Sequence, residues 1–535
     1  MNSAVQPAHD PVYMKAFITR FGLPLLSGAM LAMCFPAWHV YFLAWAALTP
    51  LLFACRNATP KEAACRFFLA GWLFHSIVFQ WLLTNFFWAG GWAFWGQQAV
   101  CVIMAAYWAV TGLLWAWMRR RLPWFPAALS LMLLWMGMEY AQGRLFTGFG
   151  WSSLGYSQGK DLAFLQLASL GGTSLLAGIL VAFNALLAET VYLSRLRVAR
   201  GAVALTLLVG AHGAGLLLLE PAVYASPPFR VGVFQSNFPL EMKWDPEYTV
   251  EMVRNAAEKS RKLAENEPVD LFVWPETLVM DEFTIPELFE PMENLTQTTG
   301  AALYTGSQRT DTETGRFRNS SFLVSGDGTV QGYYDKIHLA PFGEYVPFGE
   351  YLPIVQTMVP IISDVEPGDE VRVFPVRERT LGPLICFEVL FPEMSETLRR
   401  KGADFLVVIT NLGWFGASNA LEQELEQARL RAVETRLPLV HSANTGISGV
   451  FDPWGRFTGM NAIVTSYGTF HRLSGDLPPR ETKRYRCLGA MPLAEPGERP
   501  APWAPHRIPQ ASVLASGLLL LLALINKPRA EANPQ

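Results

Sequence analysis

Two hydrophobic patterns divide the chain. From about residue 21 to 219, apolar runs follow one another with few polar interruptions; from 220 to 509, short β-branched and aromatic runs alternate with helical stretches. A bilayer-crossing helix needs about 20 mostly apolar residues. Seven candidates precede the polar region, at 21–37, 39–55, 67–87, 93–118, 124–141, 162–193 and 202–219. An eighth, 511–525 (ASVLASGLLLLLALI), follows it. The pattern therefore predicts a membrane domain over 1–219, a soluble domain over 220–509, and a last helix with its tail over 510–535.

Within 220–509, strands are predicted at 229–237, 270–276, 302–308, 319–325, 332–338, 381–387, 403–411 and 438–446, with helices at 247–265 and 418–436. Apolar strands that do not alternate, interleaved with helices, indicate a layered α/β domain. Its sheet topology is not fixed by pattern alone.

Composition agrees with this division. Hydrophobic residues make up 51% and charged residues 16%, against roughly 25% charged in an ordinary soluble domain. The net charge of −3 offers no basic surface for nucleic acid. Lys and Arg in the short loops set orientation. Lys15, Arg20, Arg56, Lys61, Arg66, Arg119, Arg120, Arg121, Arg195, Arg197, Arg200, Lys527 and Arg529 fall in alternate connections, and Arg144 and Lys160 in the opposite ones. Both termini are thus expected in the cytoplasm and 220–509 outside it. Met33 is too large for a lipoprotein cleavage box ending at Cys34, so an uncleaved first helix is expected.

Six cysteines show no metal-binding or disulfide spacing, and no metal or cofactor is expected. Cys34, Cys55, Cys65 and Cys101 accompany apolar runs and read as packing residues; Cys487 has no evident role. Cys386 differs. It ends the strand-like LGPLICF, as Glu276 ends LFVWPE, and Lys336 sits in YYDKIHL. Ionisable groups at strand ends are where α/β folds gather catalytic groups. A thiol needs a base to become a nucleophile. Glu can supply the base, and a Lys ammonium can stabilise the resulting oxyanion. A lone strand-end cysteine is nevertheless more often structural, and no spacing links these three.

The motifs WPE (274–276), YDKIHLAPFGEYVPFGE (334–350) and LICFE (384–388) resemble the Glu, Lys and Cys signatures of the nitrilase superfamily. Together with FQSNFPLEMKWDP (234–246), NLGWFG (411–416) and HSANTGISGVFDPWGR (441–456), they are similar to its membrane-bound branch, the apolipoprotein N-acyltransferases. The resemblance implies about eight transmembrane helices and a nitrilase-like α-β-β-α sandwich. It implies Glu276 as general base, Lys336 as oxyanion stabiliser and Cys386 as nucleophile. Glu344 matches a glutamate that positions the Lys, and Trp244, Glu388 and Trp414 match supporting or substrate-binding positions near the pocket. Phe387 stands where the family often has Tyr, and Leu412 where its loop has an acidic residue.

The implied reaction moves an acyl chain from a phospholipid, through a Cys386 thioester, to the amino-terminal diacylglyceryl-cysteine of an apolipoprotein. Both substrates reside in a membrane, here the bacterial inner membrane with the catalytic domain on the periplasmic side; a monomer is expected. Segment 339–363, apolar and broken by four prolines, cannot be one long helix and reads as either a packed loop or a lid dipping into the bilayer. The competing functions are a membrane-anchored amidase or nitrilase with the same triad, and an inactive lipid-binding scaffold.

Overall fold

A computed structural model describes residues 11–36, 38–85, 90–192, 197–239, 243, 246–279, 285–311, 313–347, 365–459, 487–498, 505 and 507–526. Trp244 and most of the proposed lid, 348–364, lie outside the described residues.

Among the described residues, five helical runs are long and apolar enough to cross a membrane: Met14–Cys34, Trp92–Arg119, Ala168–Thr190, Val198–Leu217 and Arg507–Ile525. The predicted span at 39–55 is a shorter apolar stretch, Tyr41–Ala54. It is a 3₁₀ turn, Tyr41–Trp45, followed by a six-residue helix, Thr49–Ala54. Asn184, buried in a neighbouring helix, explains the break. Its side-chain oxygen accepts the backbone N–H groups of Leu48 (2.9 Å) and Thr49 (3.1 Å), supplying donors of the new helix start with a partner they would otherwise lack. The predicted span 162–193 also divides. Gly171 and Gly172 interrupt it with non-helical dihedrals, Gly172 at φ +68°, a conformation that favours glycine. Helix Pro60–Val78 begins with a capping box between Thr59 and Glu62, and Trp124–Gln142 packs between Ala168–Tyr192 and Arg507–Ile525.

The polar region holds two six-stranded sheets. The first has the order β12-β1-β2-β3-β4-β5, with β1 Arg230–Phe234, β2 Leu271–Val273, β3 Ala302–Thr310, β4 Phe317–Val324, β5 Val330–Asp335 and β12 Cys487–Pro492. The second has the order β11-β10-β9-β8-β7-β6, with β6 Phe374–Val376, β7 Arg379–Ile385, β8 Phe405–Thr410, β9 Leu439–Ala443, β10 Gly449–Phe451 and β11 Phe457–Gly459. In each sheet three neighbouring strands are parallel, β1-β2-β3 and β7-β8-β9, and the outer ones are antiparallel. All eight predicted strands are present. The four that were not predicted, β6, β10, β11 and β12, include three of only three residues.

Strand alternation builds the layers. Val231, Val233, Leu271, Val273 and Tyr304 point inward, into one core with Leu384, Leu406 and Val408 of the second sheet. Phe272, Trp274, Leu303 and Val324 point outward into a separate core against helices α1 (Pro246–Asn266) and α2 (Pro286–Thr299). Helices α3 (Pro392–Arg400) and α4 (Ala420–Thr435) cover the second sheet. The domain is a nitrilase-like α-β-β-α sandwich, and α4 also lies against the apolar helix Ala168–Tyr192.

Candidate active site

The carboxyl ends of the parallel strands of both sheets converge. Glu276 follows β2, Lys336 follows β5 and Cys386 follows β7. Glu276 and Lys336 are buried, at 5% and 1% exposure, while Cys386 is partly accessible. At Cys386 the backbone turns from strand into a 3₁₀ helix, Cys386–Leu390, with φ +50°. A non-glycine residue rarely adopts that conformation, and such strain concentrates at functional sites. Thr277, directly after Glu276, is also left-handed at φ +48°. Gly306 on β3 lets the Glu276 backbone lie close: a Cβ there would meet Glu276 Cα at 2.6 Å.

Carboxylates surround the lysine. Lys336 Nζ lies 2.9 Å from Glu344 Oε2 and 3.5 Å from Glu276 Oε1. Burial alone would lower its pKa, but Glu344, Glu276 and Cys386 together hold it above its ordinary value, so it stays charged. Asn319 on β4 bridges the two carboxylates, its Nδ2 donating to Glu276 Oε1 (2.8 Å) and Glu344 Oε1 (2.7 Å). Glu344 Oε2 also accepts the Ala340 amide (2.7 Å). The Cys386 thiol is pushed well up, by burial first and by the Glu276 charge next, against a smaller lowering by Lys336. At rest it is therefore a thiol, with a base and a fixed cation beside it. That arrangement can deprotonate sulfur on demand and stabilise a negative oxygen on a carbonyl under attack.

Two comparisons bear on the chain as a whole. Residues 27–186 match the family described as apolipoprotein N-acyltransferase N-terminal domain, and residues 230–466 match the carbon-nitrogen hydrolase family. A protein named apolipoprotein N-acyltransferase from Geobacter metallireducens is 34% identical, over 82% of this chain and 87% of its own length. Its namesake from Pseudomonas putida is 31% identical over 83% and 89%, and that from Haemophilus influenzae 27% identical over 90% and 93%. The chain belongs to the apolipoprotein N-acyltransferase family.

Several family motifs of this acyltransferase turn out to be structural ties. In FQSN, Ser236 donates to Asn444 Oδ1 (2.5 Å), the Asn237 amide donates to the Asn444 carbonyl (2.7 Å), and Gln235 Nε2 donates to the Gly446 carbonyl (3.1 Å). These bonds join β1 to the HSANTG loop, stitching the two sheets together at the site end. Glu388, expected near the pocket, is fully buried. It accepts from the Tyr334 hydroxyl (2.7 Å) and from the amides of Ile337 (2.7 Å), His338 (3.2 Å) and Ile385 (2.8 Å). It thus ties the chain after Lys336 to the chain before Cys386. Trp414 sits half-buried in the 3₁₀ turn Leu412–Phe415.

Both departures from the family pattern have a packing explanation. Phe387 stacks on Phe149 of the amino-terminal region (6.4 Å between centroids, 18°) and meets Phe391 edge-on, so its ring serves as a contact where a hydroxyl is absent. Leu412 is buried at 1%. Asn411 instead supplies a polar group in that loop, accepting from the Gly413 amide (3.4 Å) and from Asn444 Nδ2 (2.9 Å). Cys34, Cys55 and Cys101 are buried, as expected of packing residues, but Cys65 is exposed, which corrects that reading for one of the four. Asn319 and a buried lysine, Lys243, were not foreseen. Lys243 Nζ donates to the Glu276 carbonyl (2.8 Å) and Thr277 Oγ1 (3.0 Å), and burial lowers its pKa to about 7 against a raising effect of Glu276. Asn319 had no distinctive signal, since Ser320 and Ser321 follow it at the polar start of its strand; Lys243 had none beyond membership of a quoted motif.

Proposed function

We propose that this protein transfers an acyl chain from a phospholipid to the α-amine of the amino-terminal diacylglyceryl-cysteine of apolipoproteins, with Cys386 as nucleophile, Glu276 as base and Lys336 as oxyanion stabiliser. The observation that carries the reading is the buried Lys336 held between Glu344 and Glu276 beside a strained, partly accessible Cys386, in a chain of this family. Glu276 takes the thiol proton as sulfur attacks the ester carbonyl, and Lys336 balances the oxyanion. Collapse expels the lysophospholipid alkoxide, which recovers the proton from Glu276 and leaves a thioester on Cys386. The lipoprotein amine then attacks, Glu276 accepts its proton, and collapse forms the amide and returns the thiol. A thioester suits the task because it is reactive towards amines and comparatively slow with water.

We further read the membrane domain as 1–219, the catalytic domain as 220–509 and the closing helix with its tail as 510–535, with eight crossings, both termini cytoplasmic and the sandwich on the periplasmic side of the inner membrane. The loop charges support that orientation. A single copy supplies all three groups, so a monomer suffices. Glu344 would fix Lys336, while Trp244 and Trp414 would border the substrates. Reporters fused after Arg121 should read cytoplasmic and reporters within 365–459 periplasmic; a cytoplasmic sandwich would cut it off from exported lipoproteins and overturn the topology.

The function is tested by intact-mass spectrometry. Incubated with phospholipid and no acceptor, the protein should gain the mass of one acyl chain, removable by hydroxylamine and mapped to Cys386. An adduct that persists in Cys386→Ala would defeat the assignment, and turnover of soluble amides without any lipid would favour the amidase.

A further inference from the structure

Glu276 is held at both ends, and the group that holds its main chain takes no part in the mechanism above. Its carboxylate accepts from Asn319 Nδ2 (2.8 Å) and faces Lys336 Nζ (3.5 Å). Its carbonyl lies beyond the end of β2, after Pro275, which has no N–H to continue a ladder. Lys243 Nζ donates to that carbonyl (2.8 Å), which takes no other hydrogen bond among the described residues, and to Thr277 Oγ1 (3.0 Å). Lys243 stands in the segment after β1, 2% exposed, with its own amide donating to the Pro239 carbonyl (3.2 Å). Among the described residues, both bonds of this buried side chain therefore go to neutral oxygens of a single turn. A lysine buried without a bonded carboxylate is costly unless it has a task.

We infer that Lys243 is a positioning residue, which fixes the main chain of the catalytic base by holding the Glu276 carbonyl and the Thr277 hydroxyl together. The inference rests on the reading of Glu276 as the base. The two bonds bracket the peptide unit that leads into Thr277, the residue at φ +48°. A left-handed non-glycine residue persists only where its surroundings over-determine it. Here the β3 backbone supplies one restraint, since Gly306 lies so close that a Cβ there would meet Thr277 N at 2.6 Å. Lys243 supplies the other. Without it the turn is free to relax towards ordinary dihedrals, and rotation there swings the Glu276 carboxylate off its place beside Asn319 and Lys336.

The site's two buried lysines thus do different work. Lys336 meets the carboxylates of Glu344 and Glu276 and acts by its charge. Lys243 meets a carbonyl and a hydroxyl and acts as a pair of donors. Two bonds need two N–H groups, which a neutral amine supplies as well as an ammonium. The tie therefore survives loss of the proton, the direction in which burial moves this lysine.

The test measures the rate of acyl-enzyme formation against phospholipid concentration, by intact mass of the full-length protein in detergent. Lys243→Met keeps the length of the side chain and removes its donors. Its limiting rate should fall about 100-fold, the cost of a slightly misplaced reacting group, at an unchanged half-saturating lipid concentration. A limiting rate equal to the parent's, or a loss that lies in the half-saturating concentration instead, would overturn the inference. Glu276→Gln leaves no base to position, so adding Lys243→Met should slow its residual rate no further. Equal slowing in both backgrounds would mean that Lys243 supports the pocket at large, which also overturns the inference. If Lys243→Met fails to fold, or Glu276→Gln has no residual rate, the other end of the tie decides. Thr277→Val removes the hydroxyl and keeps the shape, and it should be slower than Thr277→Ser, which keeps the hydroxyl; equal rates would remove the link. Whether the parent gains an acyl chain tests the function, while the ratio of variant to parent tests Lys243, so the two failures are distinct.

Discussion

The sandwich has a polar helix on each side, and they behave oppositely. On the outer face, α1 buries Thr249, Met252, Val253, Ala256, Ala257 and Ser260 and exposes Arg254, Glu258, Arg261 and Lys262. That is an apolar stripe at the 3.6-residue period with charge on the other side. On the face towards the apolar amino-terminal helices, α4 has the sequence ALEQELEQARLRAVET, and every residue but Glu422 is buried. Charge on α1 means water. Charge on α4 means another protein surface: Glu434 accepts the Thr173 amide (2.8 Å) and hydroxyl (2.7 Å), and Arg431 pairs with Glu434 (3.0 Å). Arg429 is held by Glu426 (2.7 Å). The lesson is that polarity of a helix predicts its partners' polarity rather than its exposure.

The same contrast explains what could be read in advance. The eight strands were legible because each rests on a local run of β-branched and aromatic residues, whereas the three strand-end groups stood out by position only and were grouped by the resemblance of the motifs around them. The docking helix was legible as a helix but not as buried, since its partners, Trp81, Trp151, Tyr156 and Thr173, lie more than two hundred residues away. Asn319 was missed for the same reason, because its bonds to Glu276 and Glu344 exist only once β4 is brought to the site. The break at 46–48 depends on Asn184, remote in sequence. The helices 286–299 and 392–400 went unseen because each opens with a proline in a short polar stretch, which reads as a turn until the first-turn preference of proline is considered.

The largest expected effect lies on α4. Arg431 is fully buried, and among the described residues its Nε and Nη1 have no hydrogen-bond partner. Glu434→Ala would leave that cation against hydroxyls alone, and breaking a buried pair in this way costs about 3–5 kcal/mol. Thermal melting in detergent should show the loss, read against a double variant, Arg431→Met with Glu434→Leu, which removes both charges and should recover most of it. Equal losses in the single and double variants would mean that packing volume, and not charge, holds α4 to the helix Ala168–Tyr192.

The smallest effect belongs to α1. Lys262 and Glu258 form an i,i+4 ion pair at 2.5 Å, with 62% and 53% of their side chains exposed. The same distance that is decisive in a buried site counts for little here, because water screens the attraction and two long side chains lose freedom to make it. Alanine also has a higher helix propensity than lysine, which offsets the lost pair. Lys262→Ala should therefore leave the melting temperature and the rate of acyl-enzyme formation at the parent's values, at low and high salt alike. A loss comparable to that of Glu434→Ala would mean that the outer face of α1 is covered by a further protein surface. The difference between the two helices would then vanish, and the single-copy reading would go with it.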